Sequence, residues 1–131
     1  MRYLMIIYSN PENWGHPTFL GTAEAKALPV EEREAMARQL DELITELHDT
    51  GEIVSISPLA DPITTRTVRV RDGATLATDG PYIEAKEQMA GVFILDCATP
   101  ERAEEIAARI PEARFFGVEL RPVMTLAAPE M

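Results

Sequence analysis

Four charged side chains lie within nine residues of the stretch DGPYIEAKEQMAG, which covers residues 79–91. They are Asp79, Glu84, Lys86 and Glu87. Carboxylates beside an ammonium group can exchange protons with a substrate and hold its anionic group. The next residues, 92–97, form the most apolar strand candidate in the chain, so this predicted site is anchored to a buried strand.

Each of these side chains also has a structural interpretation. Asp79 precedes a Gly-Pro pair, so its carboxylate could cap the turn by accepting backbone N–H bonds. As a general base it would need partial burial to raise its pKa toward neutrality. Lys86 could pair with Glu84 or Glu87 in a solvated turn, or it could hold a substrate carboxylate or phenolate. The residues alone leave both interpretations open.

Aromatic side chains extend the predicted site. Trp14 and His16 follow the first predicted strand, where a flat ring and an imidazole could line a pocket. Alternatively, Trp14 covers the core and His16 is a surface residue. We predict catalytic roles for Asp79, Lys86 and Glu87. We predict substrate contacts for Trp14, His16, Tyr82 and Glu84.

The charge balance excludes one class of partner. The 131 residues include 22 acidic and 12 basic side chains, giving a net charge of −10. No cluster of Lys and Arg interrupts this excess, so the chain would repel a phosphate backbone. We predict no nucleic-acid binding.

The cysteine and histidine content gives no metal or disulfide pattern. Cys97 is the only cysteine, and it follows an apolar strand candidate, which favours a buried, inert thiol. One Cys and two His provide no metal-ligand spacing, so we predict no metal and no cofactor. The N-terminal apolar run of six residues is too short for a signal peptide or a membrane span. We therefore predict a cytoplasmic protein without a membrane partner.

Apolar periodicity predicts the helices and strands. The first helix begins at Pro29 and ends before Gly51; the second is N-capped by Thr99 and stopped by Pro111. The predicted strands are 3–8, 52–59, 65–71, 74–78, 92–97 and 117–123. Alternation in strand 65–71 puts Val68 and Val70 on one face, which we expect to be buried.

This order predicts an α+β, ferredoxin-like sandwich with a mainly antiparallel sheet and two helices on one face. Strands 3–8 and 92–97 are then central, and both are apolar on both faces. Two helices cover only one face, so a second copy of the chain is expected to cover the other. Cover by the 74–78 hairpin or by the His16 loop is the alternative.

The long string TTRTVRVRDGATLATDGPYIEAKEQMAGVFILDC, with YLMIIY, EEREAM and GVELRPVM, resembles the DGPF-domain branch of the YCII-related family. Tyr82 stands where that branch usually has Phe. The resemblance implies a dimeric α/β barrel of ferredoxin-like subunits, without a settled activity. Some YCII-related proteins have a proposed His and Asp pair in a cleft, but neither His16 nor His48 lies in a matching motif. The branch is also often associated with extracytoplasmic-function sigma factors.

We therefore predict one domain, residues 1–126, followed by a disordered tail, residues 127–131. The predicted function is a small homodimeric protein that binds an organic or aromatic molecule beside the Asp79 segment, with cofactor-free, lyase-like acid–base chemistry. The alternative is a non-catalytic regulatory or interaction module.

Overall fold

The computed structural model describes residues 1–14, 19–83 and 85–124. Within those residues, the main sheet has four strands in the order β2-β5-β1-β6, and a two-stranded sheet pairs β3 with β4. The strands are β1 (Arg2–Ser9), β2 (Ile53–Pro58), β3 (Arg66–Arg71), β4 (Ala74–Asp79), β5 (Gln88–Asp96) and β6 (Val118–Pro122). The helices are α1 (Ala23–Lys26), α2 (Val30–Thr50), α3 (Pro100–Ala108) and α4 (Glu112–Phe115).

The main sheet is antiparallel at every strand pair, and its strand order is that of a ferredoxin-like fold. This confirms the predicted α+β class and the central positions of β1 and β5. The predicted tail, 127–131, lies outside the described residues.

The core lies between one face of the sheet and two helices. Alternate residues of the central strands point into it and are buried, among them Met5 of β1 and Leu95 of β5. Leu43 and Leu47 of α2 belong to the same buried cluster, as does Ile106 of α3. The buried side chains, which alternate along the strands, therefore pack against the apolar faces of α2 and α3.

The ends of the long helices follow the predicted signals. Thr99 accepts a hydrogen bond from the backbone N–H of Arg102 at 3.1 Å, and Pro100 is the first residue of α3. Gly51 ends α2 in the left-handed conformation, with φ of 77°.

Arg102 joins three elements at this end of the molecule. Its Nε and Nη2 donate to the two carboxylate oxygens of Glu52, both at 2.9 Å, and Nη2 also donates to Glu46 at 2.8 Å. Glu46 belongs to α2, and Glu52 directly precedes β2. The guanidinium thus fixes α3 against the turn between α2 and β2.

On the face of the sheet away from the helices, the two central strands carry apolar side chains that are only half-buried in a single chain. Leu4 and Ile6 of β1 lie there beside Ile94 and Val92 of β5, and all four are partly exposed. We call these four residues the open face. Its presence agrees with two central strands that are apolar on both sides.

The β3–β4 hairpin differs from its prediction. Val68 and Val70 share one face, as the alternation indicates, but each is 60% exposed, so the prediction that they are buried is wrong. The opposite face contacts the rest of the chain: the Thr67 hydroxyl donates to the Gly80 carbonyl at 2.7 Å, and Arg69 stacks over Tyr82 at 5.2 Å. The polar face is therefore turned inward because it has hydrogen-bonding and ring partners there.

Two further features were not predicted. Strand β5 begins at Gln88, so the last part of the charged segment already belongs to the sheet. The short helices α1 and α4 lie in stretches without apolar periodicity. No helix over the described residues has the length and apolar character needed to cross a membrane.

Candidate functional site

The connection between β4 and β5, residues 80–87, is held against the base of the hairpin. The Gly80 N–H donates to the Thr65 carbonyl at 2.8 Å, and Gly80 has a φ of 99°, which favours glycine. At the other end, the Gln88 side-chain amide donates to the Ile83 carbonyl at 3.0 Å. Both ends of this connecting segment are thus fixed by hydrogen bonds.

A cleft of about 620 Å³ lies beside this segment. Its walls are mainly apolar and come from Leu59, Pro62, Pro81, Ile83 and Met89. Its polar groups are supplied by Tyr8, Thr64, Thr65, Tyr82, Glu87 and Gln88. A concave apolar surface with a few polar groups is the usual form of a small-molecule site.

Two predicted site residues meet in this cleft, Tyr82 and Glu87. Lys86 is exposed and is not among the residues that line the cleft. Glu87 is therefore the one charged residue in the described lining of the cleft. This arrangement suits a ligand that donates a hydrogen bond better than one that carries a carboxylate.

Tyr8 is a cleft residue that sequence reasoning missed. Its hydroxyl is hydrogen-bonded to Glu119 of β6, and this bond, together with burial, raises the pKa of Tyr8 above its ordinary value. The phenol consequently stays protonated at neutral pH and acts as a hydrogen-bonding group rather than a base. The only sequence signal is a Tyr near the end of an apolar strand.

Asp79 lines a neighbouring cavity of about 510 Å³, which shares Pro62, Pro81, Ala85 and Gln88 with the cleft. Its carboxylate forms an ion pair with Arg66, its partner across the hairpin, and the side chain is 86% exposed. The exposed carboxylate therefore lacks the partial burial that we predicted for a catalytic Asp79. The catalytic role of Asp79 stays a prediction, and the observed contact is a cross-strand ion pair.

The remaining predicted residues divide into two groups. Trp14 is partly buried and packs against the main core, as the alternative interpretation of this residue requires. His16 and Glu84 fall outside the described residues. Within the parts of the chain that are described, no three His, Cys, Asp or Glu side chains cluster in a way that could hold a metal ion.

Cys97 directly follows β5 and is buried, as predicted. Burial raises the pKa of its thiol, with a smaller contribution from the negative charge of Glu52. A thiol in this state is a poor nucleophile. It is therefore part of the core and not of the cleft.

The model of the YCII-related domain matches residues 1–127. The chain belongs to the YCII-related family. This confirms the family predicted from the central string. An uncharacterized protein of Rhizobium meliloti (strain 1021) is 30% identical over 95 residues, which span 71% of this chain and 77% of the relative.

Proposed function

We infer that this YCII-related protein is a cytoplasmic homodimer that binds a compact, largely apolar molecule with a hydroxyl group, such as a phenol, in the cleft. The observation that carries this proposal is the 620 Å³ cleft itself, with apolar walls and the Glu87 carboxylate among its lining groups. The ring of such a ligand would contact Leu59, Pro81 and Met89, while its hydroxyl donates to Glu87.

The chemical extension of this proposal is a cofactor-free proton transfer, as in a lyase. Glu87 is the proton acceptor, and Tyr8, whose hydroxyl proton is donated to Glu119, orients the substrate by accepting a hydrogen bond. Product formation that is lost in Glu87→Gln, measured at substrate concentrations that saturate both proteins, supports this extension. Equal turnover by both proteins contradicts it.

The proposed dimer is supported by the open face. Leu4, Ile6, Val92 and Ile94 form a half-buried apolar surface, and a second copy would remove it from water. Tyr8, on the same side of β1 as Ile6, continues this surface to the cleft. The proposed dimer interface therefore borders the proposed binding site.

The binding proposal can be tested by ligand-observed NMR with phenol and catechol as probes. We expect saturable binding to the native protein and loss of binding in Ala60→Trp, because Ala60 is an exposed residue of the cleft lining. Ala74→Trp places the same ring at an exposed hairpin position and serves as the matched control. We expect Glu87→Gln to weaken binding about tenfold, since it removes a charged hydrogen-bond acceptor.

Binding that is unchanged in Ala60→Trp contradicts the proposed location. Absence of binding by both probes to the native protein contradicts the proposed ligand class.

A second candidate function is a non-catalytic interaction module, and the exposed face of the β3–β4 hairpin favours it. Val68 and Val70 are exposed on a face that carries no partner among the described residues. The family association suggests an extracytoplasmic-function sigma factor as the partner. Calorimetric titration with an extracytoplasmic-function sigma factor from the same organism would test it, with Val68→Thr plus Val70→Thr expected to weaken the complex. Equal affinity of native and substituted protein contradicts this function.

A further inference from the structure

The inward face of the β3–β4 hairpin contacts the connecting segment at two points. Thr67 and Arg69 lie two residues apart on β3, so their side chains share this face. The Thr67 hydroxyl donates to the Gly80 carbonyl at 2.7 Å, and the Arg69 guanidinium lies over the Tyr82 ring, 5.2 Å from its centroid. The two partners are also two residues apart along the chain. One face of a strand therefore holds both the first residue of the segment and its aromatic side chain.

Tyr82 presents an exposed ring to the cleft. It is 73% exposed, although it belongs to the cleft lining. Ile83 and Met89 belong to the same lining and are 67% and 41% exposed. Arg69 is not among the described residues of that lining, so it holds Tyr82 from outside the cleft. Large apolar side chains grouped at a concave site are a surface that a ligand can cover.

We propose that the cleft is specific for a flat aromatic ring, which stacks on the face of Tyr82 that Arg69 leaves uncovered, and that Arg69 is the positioning residue for Tyr82. This inference rests on the proposed function, since it specifies the ring of the ligand whose hydroxyl donates to Glu87. Two aromatic rings attract each other beyond the burial of their surface, and a saturated ring has no π-face for such a contact. The substrate class is therefore an aromatic hydroxy compound and not an aliphatic alcohol.

The contribution of Arg69 is preorganisation. An exposed side chain loses rotamer freedom when a ligand stacks on it, and this loss weakens binding. The guanidinium attracts the electron-rich face of the Tyr82 ring and so restricts the ring before a ligand arrives. Arg69 is itself partly buried, and the Thr67–Gly80 hydrogen bond keeps its strand beside the segment. The polar face of the hairpin thus fixes one aromatic wall of the cleft.

The test is ligand-observed NMR with benzyl alcohol and cyclohexylmethanol, which carry the same hydroxymethyl group on a flat and on a saturated ring. Because their hydroxyl groups are nearly equal hydrogen-bond donors, a change in the ratio of the two affinities between variants reports the contact with the ring. We expect Tyr82→Leu to lower the affinity for benzyl alcohol relative to cyclohexylmethanol roughly fivefold, since it removes one partner of an aromatic pair. Tyr82→Phe keeps the aromatic ring and should keep the ratio.

The positioning role of Arg69 is tested by coupling. Arg69→Met removes the cation, and we expect it to lower the same ratio roughly two- to threefold in the native background. In the Tyr82→Leu background it should have no further effect, because a residue that acts through the ring cannot act without it. Arg71→Met is the matched control: Arg71 shares the face of β3 with Arg69, is exposed and donates to the carbonyl of Val70, so an unchanged ratio is expected.

An unchanged ratio in Tyr82→Leu overturns this inference, while the proposed function stands if Ala60→Trp still abolishes binding. Failure of the native protein to bind either benzyl alcohol or phenol overturns the proposed function and this inference with it. An equal effect of Arg69→Met with and without the Tyr82 ring overturns the positioning role. Circular dichroism checks that each variant is folded. If Arg69→Met does not fold, the ratios of Tyr82→Leu and Tyr82→Phe decide the outcome.

Discussion

At the scale of single residues, Glu112 gives the protein a pH-dependent stability. The pKa of its carboxyl is about 7 in the folded chain, against an ordinary value of 4.5. A raised folded pKa means that the folded state binds the extra proton, so this contribution is fully present below about pH 4.5 and is lost as the pH rises through about 7. The difference corresponds to roughly 3 kcal/mol.

We therefore compare the unfolding free energies of Glu112→Gln and the native protein. The difference should shift in favour of the variant as the pH rises from about 5 to about 8. Urea denaturation of both proteins at the two pH values measures this difference. The comparison cancels the titration of the other carboxylates, which both proteins share. A difference in unfolding free energy that does not change with pH contradicts the prediction.

Arg102 is expected to stabilise the fold in the opposite pH direction. Its hydrogen bonds lower the pKa of Glu52, although burial opposes them. The side chains of Arg102 and Glu52 are 23% and 16% exposed, so water screens this pair only in part. We expect Arg102→Met to cost about 1–3 kcal/mol at neutral pH, because it leaves Glu52 without its cation.

This cost should shrink as the pH falls below about 4.5, since a lowered folded pKa contributes stability only above the unfolded value. Chemical denaturation across this range measures it. Arg109→Met is the matched control: Arg109 is more exposed and contacts Glu46 alone among the carboxylates described, so a smaller effect is expected. Equal costs for the two variants would contradict the role given to Arg102.

At the scale of elements, the β3–β4 hairpin should be the least protected part of the sheet structure. Its backbone pairs only with itself among the described strands, whereas β5 has neighbours on both sides. A two-stranded sheet is marginal in isolation. We expect amide hydrogens of β4 to exchange much faster than those of β5 in hydrogen–deuterium exchange. Equal protection of the two strands would contradict this and would indicate a partner on the hairpin.

The same contrast applies to side chains. Val68 is 60% exposed, so Val68→Ala should change the unfolding free energy by less than about 0.5 kcal/mol. Phe93 is buried in the core of β5, and Phe93→Ala should cost about 3–5 kcal/mol. Thermal and urea denaturation of the two variants measure both effects.

The sequence predicts the elements better than it predicts their contacts. The apolar pattern of 92–97 and the caps of α2 and α3 are local, and local signals are enough to locate these elements. Alternation shows that Val68 and Val70 share a face of the hairpin. It does not show whether that face packs against the rest of the chain or is exposed to solvent. For the same reason their burial was predicted wrongly.

The candidate site shows the same division. The position of the charged segment beside a central strand follows from the sequence, and Glu87 lies in the cleft. The Tyr8–Glu119 hydrogen bond joins β1 to β6, and Glu112 of α4 lines a small cavity together with Leu40 of α2. Such contacts depend on tertiary packing between segments that are distant in the sequence, so the spacing of residues does not predict them.

At the scale of the whole molecule, the proposed dimer depends on the open face. Ile6 lies near its centre, between Val92 and Glu119 in the register of the sheet. We expect Ile6→Glu to give monomers in analytical ultracentrifugation, because it would place a carboxylate in an apolar interface between two acidic chains. Ile63→Glu, at a highly exposed position on another part of the surface, is the control. A native protein that sediments as a monomer contradicts the dimer.

The buried thiol of Cys97 makes the native chain a clean background for site-directed labelling. It is the only cysteine, and burial both hides its sulfur and raises its pKa, so thiol reagents should leave the folded protein unmodified. A cysteine introduced at exposed Ala74 would then take a spin label alone. Distances between two such labels would measure how the hairpins are arranged in the proposed dimer, without any change to the core.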